Sequence, residues 1–255
     1  MKATLAIARR ELDAYFATPV GWLCLCGFVA ITGLFFALMV SQYSYQSTQA
    51  AMSPYMAGEL TLSEYLIAPF FGNIAVILLL LSPALSMRLF AEDRSKRAFE
   101  ILLASPISTA EIVIGKYLGA LGFLAVLLFG TIHYIALLYW VGSPDAGVIA
   151  SSYLGTFLLA AAFLAVGMLA SAFTENQVVA LVTSFGFLLG LWILSWGESF
   201  AGEKIGAVIG YLSVMHHMEE MSKGLLHLQD VVYYVTFIGF FVFATHQRVE
   251  AYRWQ

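Results

Sequence analysis

The sequence predicts an all-α membrane protein that crosses the bilayer six times as one transmembrane domain over residues 1–255. The first sign is composition: 61% of residues are apolar and 11% charged, with mean hydropathy +0.85, whereas a soluble domain carries about 25% charged residues. The second is length. A helix needs about 20 apolar residues to cross a hydrocarbon layer roughly 30 Å thick. Suitable runs stand at 20–40, 69–89, 112–140, 153–173, 178–196 and 231–245. The third is where charge is missing. Arg88, Lys116 and His133 are the only Asp, Glu, Lys, Arg or His residues within those runs, and the first two stand near span ends, where long side chains can snorkel.

Residues 1–19 lead into the first span. Leu5, Ala8, Leu12, Tyr15 and Phe16 recur at helical spacing, while Arg9, Arg10 and Asp13 fall elsewhere on the wheel. Thr18-Pro19 ends the pattern, which predicts an amphipathic elbow helix lying at the inner membrane surface. The first run lacks an A-x-A cleavage site, so the leader is expected to stay on. Cys24 and Cys26 sit at i and i+2, on different helix faces, and read as small packing residues.

Between the second and third spans, 90–110 is a cytoplasmic loop of unusual density. Seven of the chain's 28 charged residues stand between Arg88 and Glu100, followed at once by "ILLASPIS". Outside the membrane on the other side, 41–68 is polar and aromatic, and 197–230 suggests interfacial helices or a re-entrant hairpin. G-x-x-x-G spacing, which lets helices approach closely, occurs at Gly115/Gly119 and at Gly186/Gly190. With the N-terminus inside, ten basic residues face the cytoplasm and two, Lys204 and Lys223, face outward. That bias orients both termini inward.

These features narrow the function. Secondary transporters and pumps place ionisable residues at membrane depth, and here only His133 is a candidate, more simply read as a packing residue. No filter-like ring suggests a channel. No G-x-x-x-x-G-K-[ST] loop can cradle nucleotide phosphates, no H-E-x-x-H is present, and no catalytic residue is assigned. Met215, His216, His217 and Met218 carry the soft donors that suit copper, but they also read as a helix with methionine on its buried side. No basic tail points to nucleic acid. Energy for any work would have to come from elsewhere.

The charged loop carries a resemblance. "EDRSKRAFEILLASPISTAEIVIGKYLGAL" resembles the segment between the second and third spans of type-2 ABC exporter permeases. "ARRELDAYFATPVGWL" and "HHMEEMSKGLLHLQDVVYYVTFIGFFVFAT" are similar to the two ends of the gliding-motility (GldF-like) branch. The match runs through essentially the whole chain; Ala98-Phe99 departs from the small residue or glycine common there. The resemblance implies a bacterial inner-membrane permease that works as a dimer, docked on separate ATP-binding subunits that hold the ATP and magnesium. It also implies that the loop is a coupling helix. Glu92, Asp93, Arg94, Lys96, Arg97 and Glu100 would form its charged rim. Leu102, Leu103 and Ile107 would fill a groove on the partner, with Pro106 ending the helix. Gly186 and Gly190 would meet a second copy or a paralogous permease. Other expected contacts are membrane lipid and a periplasmic partner. A scaffold for envelope proteins and an ATP-independent channel or carrier are the competing readings.

Overall fold

Residues 2–17 form one helix, α1 (Lys2–Ala17), and the chain then bends sharply at Thr18 into α2 (Pro19–Met52). Proline suits the first helical position, where its missing N–H would be unpaired anyway. The Trp22 indole N–H donates to the Phe16 carbonyl at 3.0 Å across the bend. A Cβ at Gly21 would lie 1.9 Å from the Tyr15 carbonyl oxygen, so the bend requires glycine. These relations come from a computed structural model describing residues 2–52, 61–96, 99, 102, 106–197 and 202–253.

The second span has three pieces: a π turn (Ser63–Ile67), α3 (Ala68–Ser86) and α4 (Arg88–Ser95). The third comprises α5 (Thr109–Phe129) and α6 (Ile132–Val141), divided at Gly130-Thr131. Then follow α7 (Ala146–Phe173), α8 (Gln177–Gly197), two short helices α9 (Gly202–Leu212) and α10 (Val214–Ser222), and α11 (Leu228–Arg253). Every regular element among the described residues is helical. Six helical stretches are long and apolar enough to cross a membrane: Pro19–Met52, Ser63–Ser95, Thr109–Trp140, Ala146–Phe173, Gln177–Trp196 and Leu228–Arg253. They coincide with the six expected spans. Most run longer, because polar residues continue the helices beyond the apolar runs.

Helix α7 is the axis of the bundle. Ala160, Ala161, Ala162, Ala165, Gly167 and Ser171 are all buried along it, and small residues let neighbouring helices approach closely. A Cβ at Gly167 would fall 1.9 Å from the Ser86 hydroxyl of α3. Helices α3, α10 and α11 also pack on α7, while α2 and α8 lie at the periphery, each only 17% buried over its most apolar window. Thr109, at the start of α5, bonds both His246 and Glu250 near the end of α11. Both chain ends therefore lie on one face, called the terminal face below.

At the opposite face, α9 and α10 occupy much of the 197–230 segment. Met221 of α10 lies against Gly155, where an added Cβ would come within 2.9 Å of the Met221 Cβ. Gly155 stands roughly 13 Å of helix below the start of α7, so the end of α10 lies alongside that helix, and the chain then runs toward its start, where Gly224 meets Val148.

Candidate functional site at the terminal face

Pro83 inside α3 removes one backbone donor and crowds the preceding turn, and the helix breaks at Met87. Just past the break, the amides of Phe90 and Ala91 both donate to the Ser171 hydroxyl oxygen at 3.0 Å, and that hydroxyl donates to the Met87 carbonyl at 2.8 Å. One serine on α7 thus satisfies the polar groups that a buried helix break would leave costly.

Beyond the break, α4 directs consecutive charges to opposite sides. Asp93 reaches the Lys116 ammonium of α5 at 2.7 Å. Arg94 turns the other way and donates to the Ala172 carbonyl at 3.0 Å, with Glu175 at 3.3 Å. A guanidinium at the end of α7 also complements the negative pole of that helix. Tyr252 of α11 lies beneath it, 4.7 Å from ring centre to guanidinium carbon.

Lys116 is only 1% exposed, so it does not snorkel as its place near a span end suggested. Besides Asp93, it donates to Glu11 of α1 at 2.8 Å, and Arg10 donates to the same Glu11 oxygen at 2.8 Å. Burial pushes the Glu11 carboxyl up, but Lys116 and Arg10 outweigh it and hold the group below its ordinary value. Two cations and two carboxylates from three elements thus balance one another. Close approach of α1 to α5 permits this. Built Cβ atoms at Gly115 and Gly119 would fall 2.8 Å from Ile7 and 2.6 Å from the Ala8 carbonyl oxygen. Arg88 covers the buried Tyr15 ring at 4.0 Å, and the Tyr15 hydroxyl donates to the Leu85 carbonyl at 2.9 Å.

The expected docking residues divide accordingly. Asp93 and Arg94 bond the chain's own helices, while Glu92 and Lys96 pair with each other at 2.6 Å near the surface. Leu102 and Ile107 are half-buried against the core, and Pro106 is exposed. Arg97, Glu100 and Leu103 lie outside the described residues. Phe99 is buried beside Phe90 and Tyr252. Ser108 and Glu111 form a capping box that restarts the chain as α5.

Sequence reasoning missed Glu11, Phe99 and Ser171 as members of this junction. The Ser-x-x-Glu spacing was a readable signal for the helix start. The Glu11 partnership had no local signal, because Lys116 lies 105 residues away. Spatially, the junction clasps α4 between α1/α5 on one side and α7/α11 on the other. Such an arrangement can transmit displacement among several spans at once.

The remaining candidates stand elsewhere. Among the described residues, no heavy atom beyond the adjacent residues and local helix backbone lies within 4 Å of a built Cβ at Gly186 or Gly190, so that face of α8 is open among them. Met215 and Met218 are buried in the core. His217 contacts Asp230 through Nδ1 at 2.7 Å and the Tyr211 carbonyl through Nε2 at 3.0 Å, leaving neither ring nitrogen free. His216 lines a neighbouring cavity of about 340 Å³ with Glu220, His227 and Asp230. Among the described residues no group of three or more His, Cys, Asp or Glu is placed to hold a metal ion. His133 is exposed, with Nδ1 2.6 Å from the Gly130 carbonyl oxygen.

Residues 5–245 match the sequence profile of a family described as ABC-2 family transporter protein. A comparison with curated proteins returns no match.

Proposed function

Since the chain belongs to the ABC-2 family of transporter proteins, we propose that separate ATP-binding subunits drive it. It is then the membrane-spanning subunit that couples their ATP hydrolysis to export, or to force transmitted across a bacterial inner membrane. The terminal face is cytoplasmic, in keeping with ten basic residues against two. The partner docks beside α4, on the segment from Glu92 to Ile107, where a charged rim gives way to apolar anchors.

One observation carries this reading: α4 is fastened to both halves of the bundle by adjacent charges, Asp93 and Arg94. A surface loop needs no such anchorage, whereas a segment that receives a push does. The open Gly186/Gly190 face of α8, with Val182 and Ile193 exposed along it, supports pairing with a second copy or a paralogous permease. The GldF-like character of both chain ends favours that branch of the family.

Affinity purification in mild detergent, followed by an ATPase assay, tests the proposal. An ATP-binding subunit is expected to co-purify, and replacing Glu100, Leu102 and Leu103 together by alanine is expected to abolish its recovery. Intact assembly and ATPase stimulation in that variant would place the docking site elsewhere. Recovery of no ATP-binding subunit with the wild-type chain would favour a scaffold or an independent carrier.

A further inference from the structure

Helix α4 packs chiefly on α7, whereas α1 packs chiefly on α5. Besides the Arg88–Tyr15 contact and the packing of α5 on α7, charged side chains from α1, α4 and α5 meet at one buried atom, the Lys116 Nζ. It lies 2.7 Å from Asp93 of α4 and 2.8 Å from Glu11 of α1. Arg10 supports the same pair, bonding Glu11 and standing 4.0 Å from Asp93. The Phe90 ring of α4 lies 5.5 Å from the ammonium. A lysine this deeply buried needs a carboxylate beside it. If α4 drew away from α1, Asp93 would lose the ammonium, while Lys116 and Arg10 would keep Glu11.

We infer that Lys116 is a positioning residue that locks the elbow helix α1 to the cytoplasmic helix α4. A push received at α4 is thereby delivered to α1, and through the tight Gly21 bend to the first span as well as the second. The inference rests on the coupling role proposed above. It adds a specific route, in which the first span is driven electrostatically and not through apolar contact alone. Salt bridges between exposed groups are weak links. This one is shielded from solvent and serves two helices at once.

Pulsed electron-spin measurements on the full chain in detergent test the lock. Spin labels at Leu5→Cys and Ser95→Cys, both exposed, report the α1–α4 distance after Cys24 and Cys26 are replaced by alanine. The unmodified junction is expected to give one narrow distribution, and Lys116→Arg to preserve it. The neutral triple variant Lys116→Met, Glu11→Gln, Asp93→Asn leaves no buried charge unpaired. It is expected to broaden the distribution about twofold as the two helices move independently. An equally narrow distribution in that variant would overturn the inference. Should the triple variant not accumulate, Asp93→Asn alone must broaden the distance while Lys116 keeps Glu11; failure to do so overturns the inference equally.

Because the distance is read without any partner, it stands apart from the functional proposal. Co-purification of the ATP-binding subunit with the same variants tests that separately. With the subunit bound, the triple variant is expected to keep the KM for ATP and lose most of the permease-dependent kcat. An unchanged kcat would refute the coupling role of the lock.

Discussion

Two G-x-x-x-G ladders that lie within the spans have opposite fates. Gly115 and Gly119 on α5 are covered by α1, close enough for backbone and side chains of Thr4, Ile7, Ala8 and Glu11 to fill the notch. Gly186 and Gly190 on α8 face open space. Spacing alone therefore creates a surface that another helix can approach; it does not choose the helix. At α5 the choice is made by Lys116, beside the first glycine, which demands a carboxylate that α1 supplies through Glu11. The α8 ladder has no charged neighbour, so its partner is left to shape.

The largest effect should come from breaking that choice. Lys116→Met leaves Glu11 and Asp93 with only the exposed Arg10 as a cation, and removal of one member of a buried ionic cluster costs about 3–5 kcal/mol. A clear fall in melting temperature, followed by intrinsic fluorescence in detergent, is expected. Gly119→Leu attacks the shape instead: its Cβ would fall 2.6 Å from the Ala8 carbonyl oxygen, and overpacking of this kind costs about 1–3 kcal/mol. Limited proteolysis should then cut α1 faster than in the parent chain.

Acid sharpens the comparison more gently. The Glu11 carboxyl titrates lower in the folded protein than its ordinary 4.5. Its contribution to stability is therefore complete above that ordinary value and is lost as pH falls through the lower folded one. Melting temperature should decline below about pH 4.5 through this group, and Glu11→Gln should flatten that part of the profile. The smallest effect on the single chain belongs to Gly186→Leu with Gly190→Leu. With nothing facing them, both substitutions should leave the melting temperature unchanged or slightly raised, since leucine favours helix over glycine. Native mass spectrometry should nonetheless show loss of the proposed dimer. A persistent dimer would remove this face from consideration.

The six spans were legible because the bilayer sets a length, and apolar runs of that length are hard to mistake. The elbow helix was legible too, but its buried face was not. The apolar stripe grouped Leu5 with Ala8 and Tyr15, yet Leu5 is 72% exposed, while Ile7, Ala8, Glu11 and Tyr15 face the protein. A helix lying between lipid and protein has two apolar sides, and periodicity cannot tell which one meets α5. For the junction, sequence density pointed to α4 but not to the directions of its charges. Asp93 and Arg94 are neighbours in the chain and serve helices on opposite sides. That division follows from the turn of the helix and from distant residues, chiefly Lys116 and Ala172.

The packing of α1 on α5 also sets an order of events during synthesis. The elbow is made well before the notch and the lysine that receive it, which emerge only with the third span, 105 residues after Glu11. Until then α1 must wait outside the bundle, and its exposed Leu5 and half-buried Leu12 and Phe16 suit it to rest on the bilayer surface meanwhile. Insertion of the third span then supplies both the groove and the countercharge in one step. A nascent chain halted before Lys116 would have only the Tyr15 contacts with Leu85 and Arg88 to hold its elbow at the terminal face.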